Sequence, residues 1–392
     1  MKEMINVFQP MLGERELAAV REVFESNWIG RGARTRAFEE GFARHLGVGP
    51  RHVTSTNSCT EATFIAMELA GAGPGSEVVM PTISFVGAGN AVASRGARPV
   101  FCDVDPRTLN PTAAHVEAAL TPRTRAVVVL HYGGHPGDIV EIARLCRERR
   151  VLLIEDAAIG VASRVDGRAC GTFGDMGVWS FDHGKIMVTV DGGMLYVRDP
   201  GLAARAPKLA YLGMEQTSGY DQAMREHTRW WEFELSSFSR RSVTNDVLSA
   251  VGLVQLGRLP DFVARRRRIA ERYDRGLAGV EGLLCPPPLP AGHESSHYMY
   301  WIQVEGGIRD RLARDLYERG IYTTFRYPPL HRVAAYGSDA VLPGADEAAA
   351  RTLLLPMHQG LSDADVDRVV EAVRECVPAR LGRSRGRSLA GV

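Results

Sequence analysis

The sequence predicts an α/β fold, with a doubly wound and mostly parallel sheet over residues 50–200 and a smaller α+β unit after residue 260. Three observations carry this. Strand-like and helix-like segments alternate from about residue 50, the βαβ rhythm of a parallel sheet. Strands such as AVVVL at 126–130 and VLLIE at 151–155 are apolar throughout, as expected when helices cover both faces. After residue 260 the rhythm gives way to a cationic helix and a proline-rich connector.

In chain order, LGERELAAVREVFESNW (12–28) has apolar residues at helical spacing and stops at the glycine-bearing IGRGAR. TRAFEEGFARHLGV (35–48) predicts a second helix. HVTSTNS then leads into helical CTEATFIAMELAGAG, and EVVMPT into FVGAGNAVASRGA. RPVFCDV, HVEAALTP, RAVVVLHY, IVEIARLCRERR and VLLIEDAA continue the alternation to residue 158. Beyond residue 260, DFVARRRRIAERYDRGL (261–277) predicts a helix whose four consecutive arginines read most simply as a solvated face. CPPPLPAGHESSH (285–297) is an extended connector. YMYWIQV, the helix RDRLARDLYERG, the strand IYTTFRY and the helix SDADVDRVVEAVREC complete the smaller unit. Ser362 stands at the N-cap of that last helix with acids in its first turn. The expected division is therefore 1–260 for an N-terminal arm and large domain and 261–380 for the small domain. The Gly/Ser/Arg-rich tail at 381–392 is expected to be disordered.

Composition narrows the function. The 392 residues carry a net charge of +1, with 45% hydrophobic and 24% charged residues, so no basic face argues for nucleic acid. Six scattered cysteines, with no CxxC, suit reduced thiols better than disulfides or zinc. No apolar run approaches the roughly 18 residues of a membrane span. The start lacks a signal-peptide core, which gives the expectation of a cytoplasmic protein with no membrane partner. A nicotinamide enzyme is disfavoured because no GxGxxG follows a strand.

Three segments of the sheet region carry chemistry. Lys185, in WSFDHGKIMVTVDGG (179–193), is one of only three lysines in a chain with 47 Lys+Arg. Where arginine otherwise serves as the cation, a lysine points to a primary amine that can deprotonate and bond to a carbonyl carbon. A salt bridge to Asp182 or Asp191 is the plainer alternative, and neighbouring His183 reads as a local hydrogen-bonder. In LLIEDAAIG (152–160), Glu155 and Asp156 close an apolar strand, where open α/β sheets place ligands. A helix cap would also account for them. In NSCTEA (57–62), Ser58 and Thr60 offer hydroxyl donors at a helix N-terminus, a place for a phosphate, although small residues there often only cap the helix. An amine, a carboxylate for a ring nitrogen and phosphate donors are what pyridoxal 5′-phosphate (PLP) requires. Phe85, in PTISFVGAGNA, offers a flat face for the ring.

The chain resembles the DegT/StrS-type sugar aminotransferases, a branch of the fold type I PLP enzymes. The motifs are WIGRG (28–32), CTEA (59–62), PTISF (81–85), IEDAA (154–158), SFDHGK (180–185), DGG (191–193), GLVQL (252–256) and YPPLH (327–331), in order along nearly the whole chain. The resemblance implies that Lys185 is linked covalently to PLP, Asp156 pairs with the pyridine nitrogen and Phe85 stacks on the ring. It implies further that Ser180, Thr60 and the backbone at Cys59 hold the phosphate. It implies a homodimer with shared active sites, in which Arg241 or Asn245 of SRRSVTNDV reaches the partner's phosphate. The implied reaction moves an amino group from glutamate to a nucleotide-linked keto-deoxysugar, with dTDP-4-keto-6-deoxy-D-glucose and C4 favoured. A 3-aminotransferase and a catalytically silent PLP-fold regulator are the alternatives. Arg326 and His331 are the candidate cations for the diphosphate, and Lys185 is expected to have a depressed pKa. The sequence departs from the family at Ile159, where Gln or His is usual, at Cys59, where Gly is usual, and at Arg326-Tyr327-Pro328 in place of HYP.

Overall fold

The structure, a computed structural model, describes residues 4–215, 229, 231–305 and 307–388. Two helices, α1 (Glu14–Glu25) and α2 (Ala33–Leu46), precede β1 (Val53–Thr56). The alternation then runs α3 (Cys59–Leu69), β2 (Glu77–Pro81), α4 (Val86–Ala93), β3 (Arg98–Cys102), α5 (Ala113–Ala119), β4 (Thr124–Leu130), α6 (Ile139–Arg149) and β5 (Leu152–Asp156). A short hairpin, β6 (Arg164–Val165) and β7 (Arg168–Ala169), leads to β8 (Met176–Ser180), β9 (Gly193–Val197) and α7 (Pro200–Ala210).

The seven-stranded sheet has the order β1-β9-β8-β5-β4-β2-β3. From β8 to β3 all neighbours are parallel, whereas β9 is antiparallel to both β8 and β1. Two antiparallel steps leave β1 running the same way as β8. The C-terminal ends of β1, β2, β5 and β8 therefore open on one edge, and β9 begins there, with Gly193 opposite both Thr56 and Ser180. Ligands in open α/β sheets collect at such an edge. Alternate residues of the apolar strands, Val128, Leu130 and Ile154 among them, lie in the main core with the fully buried Trp179, Phe181 and Phe42, while Val127, Val129 and Leu153 pack in a separate cluster with α6.

Past the large sheet, α8 (Asp246–Leu277) runs unbroken through residue 260. Its window of mean hydropathy 1.3 is long and apolar enough for a membrane span. Here it is a packing helix instead: α1 and α2 lie against it, as does α11, the last helix of the chain. Its arginine run is not simply a solvated face, because Arg266 is fully buried. That guanidinium donates to the Gln359 side chain and to the carbonyls of His297, Tyr298 and Met357. Burial lowers its pKa to about 10. With no carboxylate partner among the described residues, it shows that a charge run can hide one inward position in each helical turn.

The remaining elements are β10 (Leu283–Leu284), β11 (His293–Glu294), β12 (Tyr300–Val304), α9 (Arg309–Glu318), α10 (Pro343–Arg351), β13 (Thr352–Leu355) and α11 (Asp363–Ser388). An antiparallel sheet β10-β12-β13 packs with α9, α11 and the end of α8 into a second apolar core. The segment 321–327 makes only isolated bridges, at Ile321 to Ile5 and at Thr324 to Leu354, and does not form the expected strand. Pro328 and Pro329 follow at once and have no N–H to extend pairing. Ser362 caps α11 as expected, its hydroxyl accepting from the Asp365 N–H at 3.1 Å. The backbone stays helical to Ser388, well into the tail expected to be disordered, and 389–392 lie outside the described residues.

Candidate active site

At the end of β5 the strand period places neighbouring side chains on opposite faces. Glu155 turns inward and is saturated by the N–H groups of Gly171 (2.7 Å) and Gly174 (2.6 Å) and by His131 (2.9 Å). Asp156 turns to the sheet edge, where one oxygen accepts the Ala158 N–H at 3.1 Å. Burial pushes its pKa up, against the opposing pull of that N–H, Lys185 and His131. Of the acid pair, one carboxylate is structural and the other is available.

Lys185 lies in the β8–β9 loop, which is fixed from several sides. Phe181 N–H donates to the Gly192 carbonyl and Thr189 N–H to the Phe181 carbonyl, both at 2.9 Å. Gln255 of α8 accepts the Val188 N–H at 3.3 Å, and Gln359 donates to the Ile186 carbonyl at 3.1 Å. The salt-bridge alternatives are spent elsewhere: Asp182 accepts from Gly184 N–H and meets His183, and Asp191 accepts from Gly192 N–H. His183 is thus the local hydrogen-bonder expected. Among the described residues the Lys185 amine makes no ion pair; the Tyr298 ring centroid is 5.2 Å away. The expected depressed pKa does not arise from the protein's own groups. Burial does push it down, but the Tyr298 and Tyr327 phenols, the Cys59 thiol and the Asp156 carboxylate outweigh burial and hold it above its ordinary value. The expectation had counted a cationic cofactor beside the amine.

The N-terminus of α3 supplies the third part. Ser58 is its N-cap, accepting the Glu61 N–H at 3.2 Å, so the capping alternative holds for its hydroxyl. Gly193 sits hard against this turn. A Cβ there would lie 2.5 Å from the Cys59 amide nitrogen and 2.6 Å from the Ser58 carbonyl. The Gly-Gly turn after Lys185 therefore lets β9 start beside the helix end. Burial drives the Cys59 thiol far up, which leaves its backbone as the useful group.

A cavity of about 310 Å³ joins these parts. Its wall includes Ser58, Cys59, Thr60, Phe85, Asp156, Ser180, Lys185 and Arg326, eight of the residues expected from sequence, together with Thr63 and Tyr327. Phe85, the N-cap of α4, is 47% exposed and meets Tyr327 edge-on at 5.7 Å. Arg326 stands over the ring of Phe8 at 4.6 Å.

Three expected residues lie elsewhere. His331 does not line the cavity: its Nδ1 is 2.8 Å from the Thr82 hydroxyl and its Nε2 3.4 Å from an Asp346 oxygen. Arg241 packs over Tyr211 at 6.0 Å, and the Asn245 side chain caps α8 by accepting the Leu248 N–H. Neither lines this chain's own cavity. Ile159 is buried in the main core, outside the cavity wall. Sequence reasoning missed Tyr298 and Phe8. The Tyr298 ring, just past the connector, lies beside Lys185, and Phe8 of the N-terminal arm stacks on it at 5.1 Å and 11°. No local signal marks either, because their proximity arises from tertiary contact.

The donor set fits PLP on its geometry. Asp156 and Lys185 share one cavity with no ion pair between them among the described residues, the half-exposed ring of Phe85 stands at the N-cap of α4, and the first residues of α3 line the same space.

Residues 10–374 match the model of the DegT/DnrJ/EryC1/StrS aminotransferase family. The chain belongs to this family. Its aminotransferases are PLP-dependent, and this chain is an aminotransferase of the fold they share. It is 56% identical over 374 residues to a dTDP-4-dehydro-2,3,6-trideoxy-D-glucose 4-aminotransferase of Saccharopolyspora spinosa, covering 95% of this chain and 97% of that one. It superposes on the aminotransferase TlmJ from Streptoalloteichus hindustanus with a TM-score of 0.92 at 65% identity, covering 96% and 99%. A sugar aminotransferase of Streptococcus pneumoniae, solved in its PLP form, shares the fold at 24% identity, with a TM-score of 0.87 over 95% of this chain and 99% of that one.

Proposed function

We propose that the chain transfers an amino group from glutamate to C4 of a dTDP-linked 4-keto-deoxyhexose, with PLP held by Lys185. The observation that carries this reading is the facing of Lys185 and Asp156 across one cavity, in a chain 56% identical to a dTDP-sugar 4-aminotransferase. When bound, PLP supplies an electron sink for the carbanion formed at the amino donor's Cα. In this assignment Asp156 keeps the ring nitrogen protonated by its charge, and Phe85 covers the ring face. The Cys59 and Thr60 amides, with Thr60 and Ser180 hydroxyls, hold the phosphate at the α3 terminus. Once released, the Lys185 amine moves the proton at the donor's Cα, acting as base and then as acid.

Arg326, exposed in the cavity wall, is suited to the substrate's diphosphate. The proposal includes a homodimer in which Arg241 or Asn245 completes the partner's phosphate site. Supporting it, Trp231, Phe233, Leu235 and Phe238 are 49–94% exposed just before that segment, an apolar surface expected to be covered. It also includes a cytoplasmic location and a division of the chain near residue 260 into a large and a small domain. Incubation with glutamate and a panel of dTDP- and UDP-linked 3-keto and 4-keto sugars tests the reading. Amination of the dTDP-4-keto sugars is expected. Amination of 3-keto sugars alone, or no 2-oxoglutarate from glutamate, overturns it.

A further inference from the structure

A second cavity, of about 510 Å³, lies between the end of α2 and the β6–β7 hairpin. Tyr196 in its wall stands opposite Val53, the first residue of β1, so the cavity lies toward the sheet edge away from the cofactor site. Its wall carries three guanidiniums, Arg44, Arg164 and Arg168, and no carboxylate among the described residues. Two of them are fixed by backbone. Arg164 donates to the carbonyls of Gly167 (2.9 Å) and His45 (2.7 Å), which ties α2 to the hairpin. Arg168 donates to the Thr172 carbonyl and hydroxyl and lies over the Phe173 ring at 4.4 Å. Arg198 donates to that same Thr172 carbonyl at 2.9 Å, so two guanidiniums converge on one oxygen.

The cations act on one another. Burial first, and then the Arg198 charge, lowers the Arg168 pKa. Burial also lowers that of His45, against its bond to the Val161 carbonyl, and the Arg164 charge lowers it further. Glu155 pulls the other way at Arg168, but its carboxylate is fully buried and already accepts from Gly171, Gly174 and His131. Like charges gathered without a counter-charge repel, and an anion between them relieves that repulsion. The Nη1 hydrogens of Arg168 and the whole Arg44 fork have no partner among the described residues.

We propose that this cavity binds a phosphoryl dianion, free or carried in the diphosphate of a nucleotide, through Arg44, Arg164 and Arg168. A single carboxylate would meet one of the three charges, whereas phosphoryl oxygens accept from several guanidinium forks at once. At about 510 Å³, against roughly 30 Å³ for one water, the space admits a diphosphate. The site is independent of the role proposed for Lys185.

Calorimetric titration of the PLP-saturated protein with inorganic pyrophosphate, and separately with dTDP, tests the proposal. Saturation with PLP keeps the α3 terminus from competing for the probe. One equivalent of pyrophosphate is expected to bind, more weakly as salt rises. Arg164→Gln is expected to weaken it about tenfold through loss of charge-assisted hydrogen bonds. Arg44→Gln is expected to act in the same direction. Its guanidinium makes no hydrogen bond among the described residues, so it carries the test if Arg164→Gln does not fold. In the proposed function dTDP also meets Arg326, so it is read by difference. A second dTDP equivalent removed by these substitutions assigns the site to nucleotides, and loss of pyrophosphate alone assigns it to the free anion. If neither probe loses affinity in the variants that fold, the proposal is overturned.

Discussion

At the scale of single residues, the account turns on the difference between an amine and a guanidinium. A structural cation at 185 would tolerate arginine, which this chain uses nearly everywhere else. Lys185→Arg is expected to keep the fold and lose transamination by at least about 10²–10⁴-fold, measured as 2-oxoglutarate release from glutamate. Retained turnover would return Lys185 to a structural role. The same scale shows what one strand position decides. Glu155 is spent on two amides and His131, whereas Asp156 next to it faces the cavity with an oxygen to spare. Sequence alone put both acids at the strand end; only the strand's alternation, once its register is known, separates them.

Among elements, the α3 terminus and the start of β9 are the tightest junction in the site. Gly193→Ala would drive a methyl group into the Ser58–Cys59 peptide, backbone that cannot rotate away as a side chain would. Overpacking of this kind costs about 1–3 kcal/mol. The expected outcome is a lower melting temperature together with weaker PLP binding, read by absorbance titration. A second junction joins α2 to α8. The Asp246 carboxylate accepts from the N–H groups of Gly32 (2.7 Å), Arg34 (3.1 Å) and Thr35 (2.9 Å) and from the Thr35 hydroxyl (2.7 Å). Asp246→Ala leaves these donors unmet in a buried place and is expected to destabilise by about 1–3 kcal/mol in chemical unfolding.

Elements built from local patterns were legible: the βαβ alternation, the Ser362 cap and the strand ends that carry Asp156 and Phe85. What escaped sequence reasoning depends on distant contact. The reversal of β9 between β1 and β8 leaves no periodic trace, and Arg266 is buried only because α8 lies under the connector at 297–298 and the loop at 357–359. His331 is next to Arg326 in the motif, yet the fold sets its ring beside Thr82 and Asp346 rather than in the cavity wall.

For the whole molecule, one buried and two half-buried histidines set the acid limit. Burial is the first cause holding His135 at about 3 and His297 and His358 at about 4; the neighbouring His297 and His293 rings disfavour a further proton on His135, and the Arg266 guanidinium adds to burial at the other two, with Arg267 at His297. Each stays neutral in the fold but titrates near 6.5 when unfolded, so the unfolded chain binds more protons below that pH. Their contribution is complete above pH 6.5 and is lost as the pH falls towards 4. Glu77 acts lower down. Burial alone would raise its pKa, but Thr121, Arg98 and Arg123 bring it to about 2 from 4.5, so its contribution is lost between those values. Melting temperature is therefore expected to fall in two stages on acidification, with little change from pH 7 to 8.

Assembly belongs to this scale as well. For the proposed homodimer, Phe238→Asp, at a residue 94% exposed, is expected to give monomer in sedimentation and PLP binding at least about tenfold weaker through loss of the proposed phosphate contact from the partner. An unchanged dimer would remove this surface from the interface.

Reduction of the PLP-loaded protein with borohydride, followed by peptide mass mapping, tests the central claim most directly. The pyridoxyl mass is expected on the peptide containing Lys185 and on neither Lys2 nor Lys208. Its appearance on another lysine, or on none, would contradict the account.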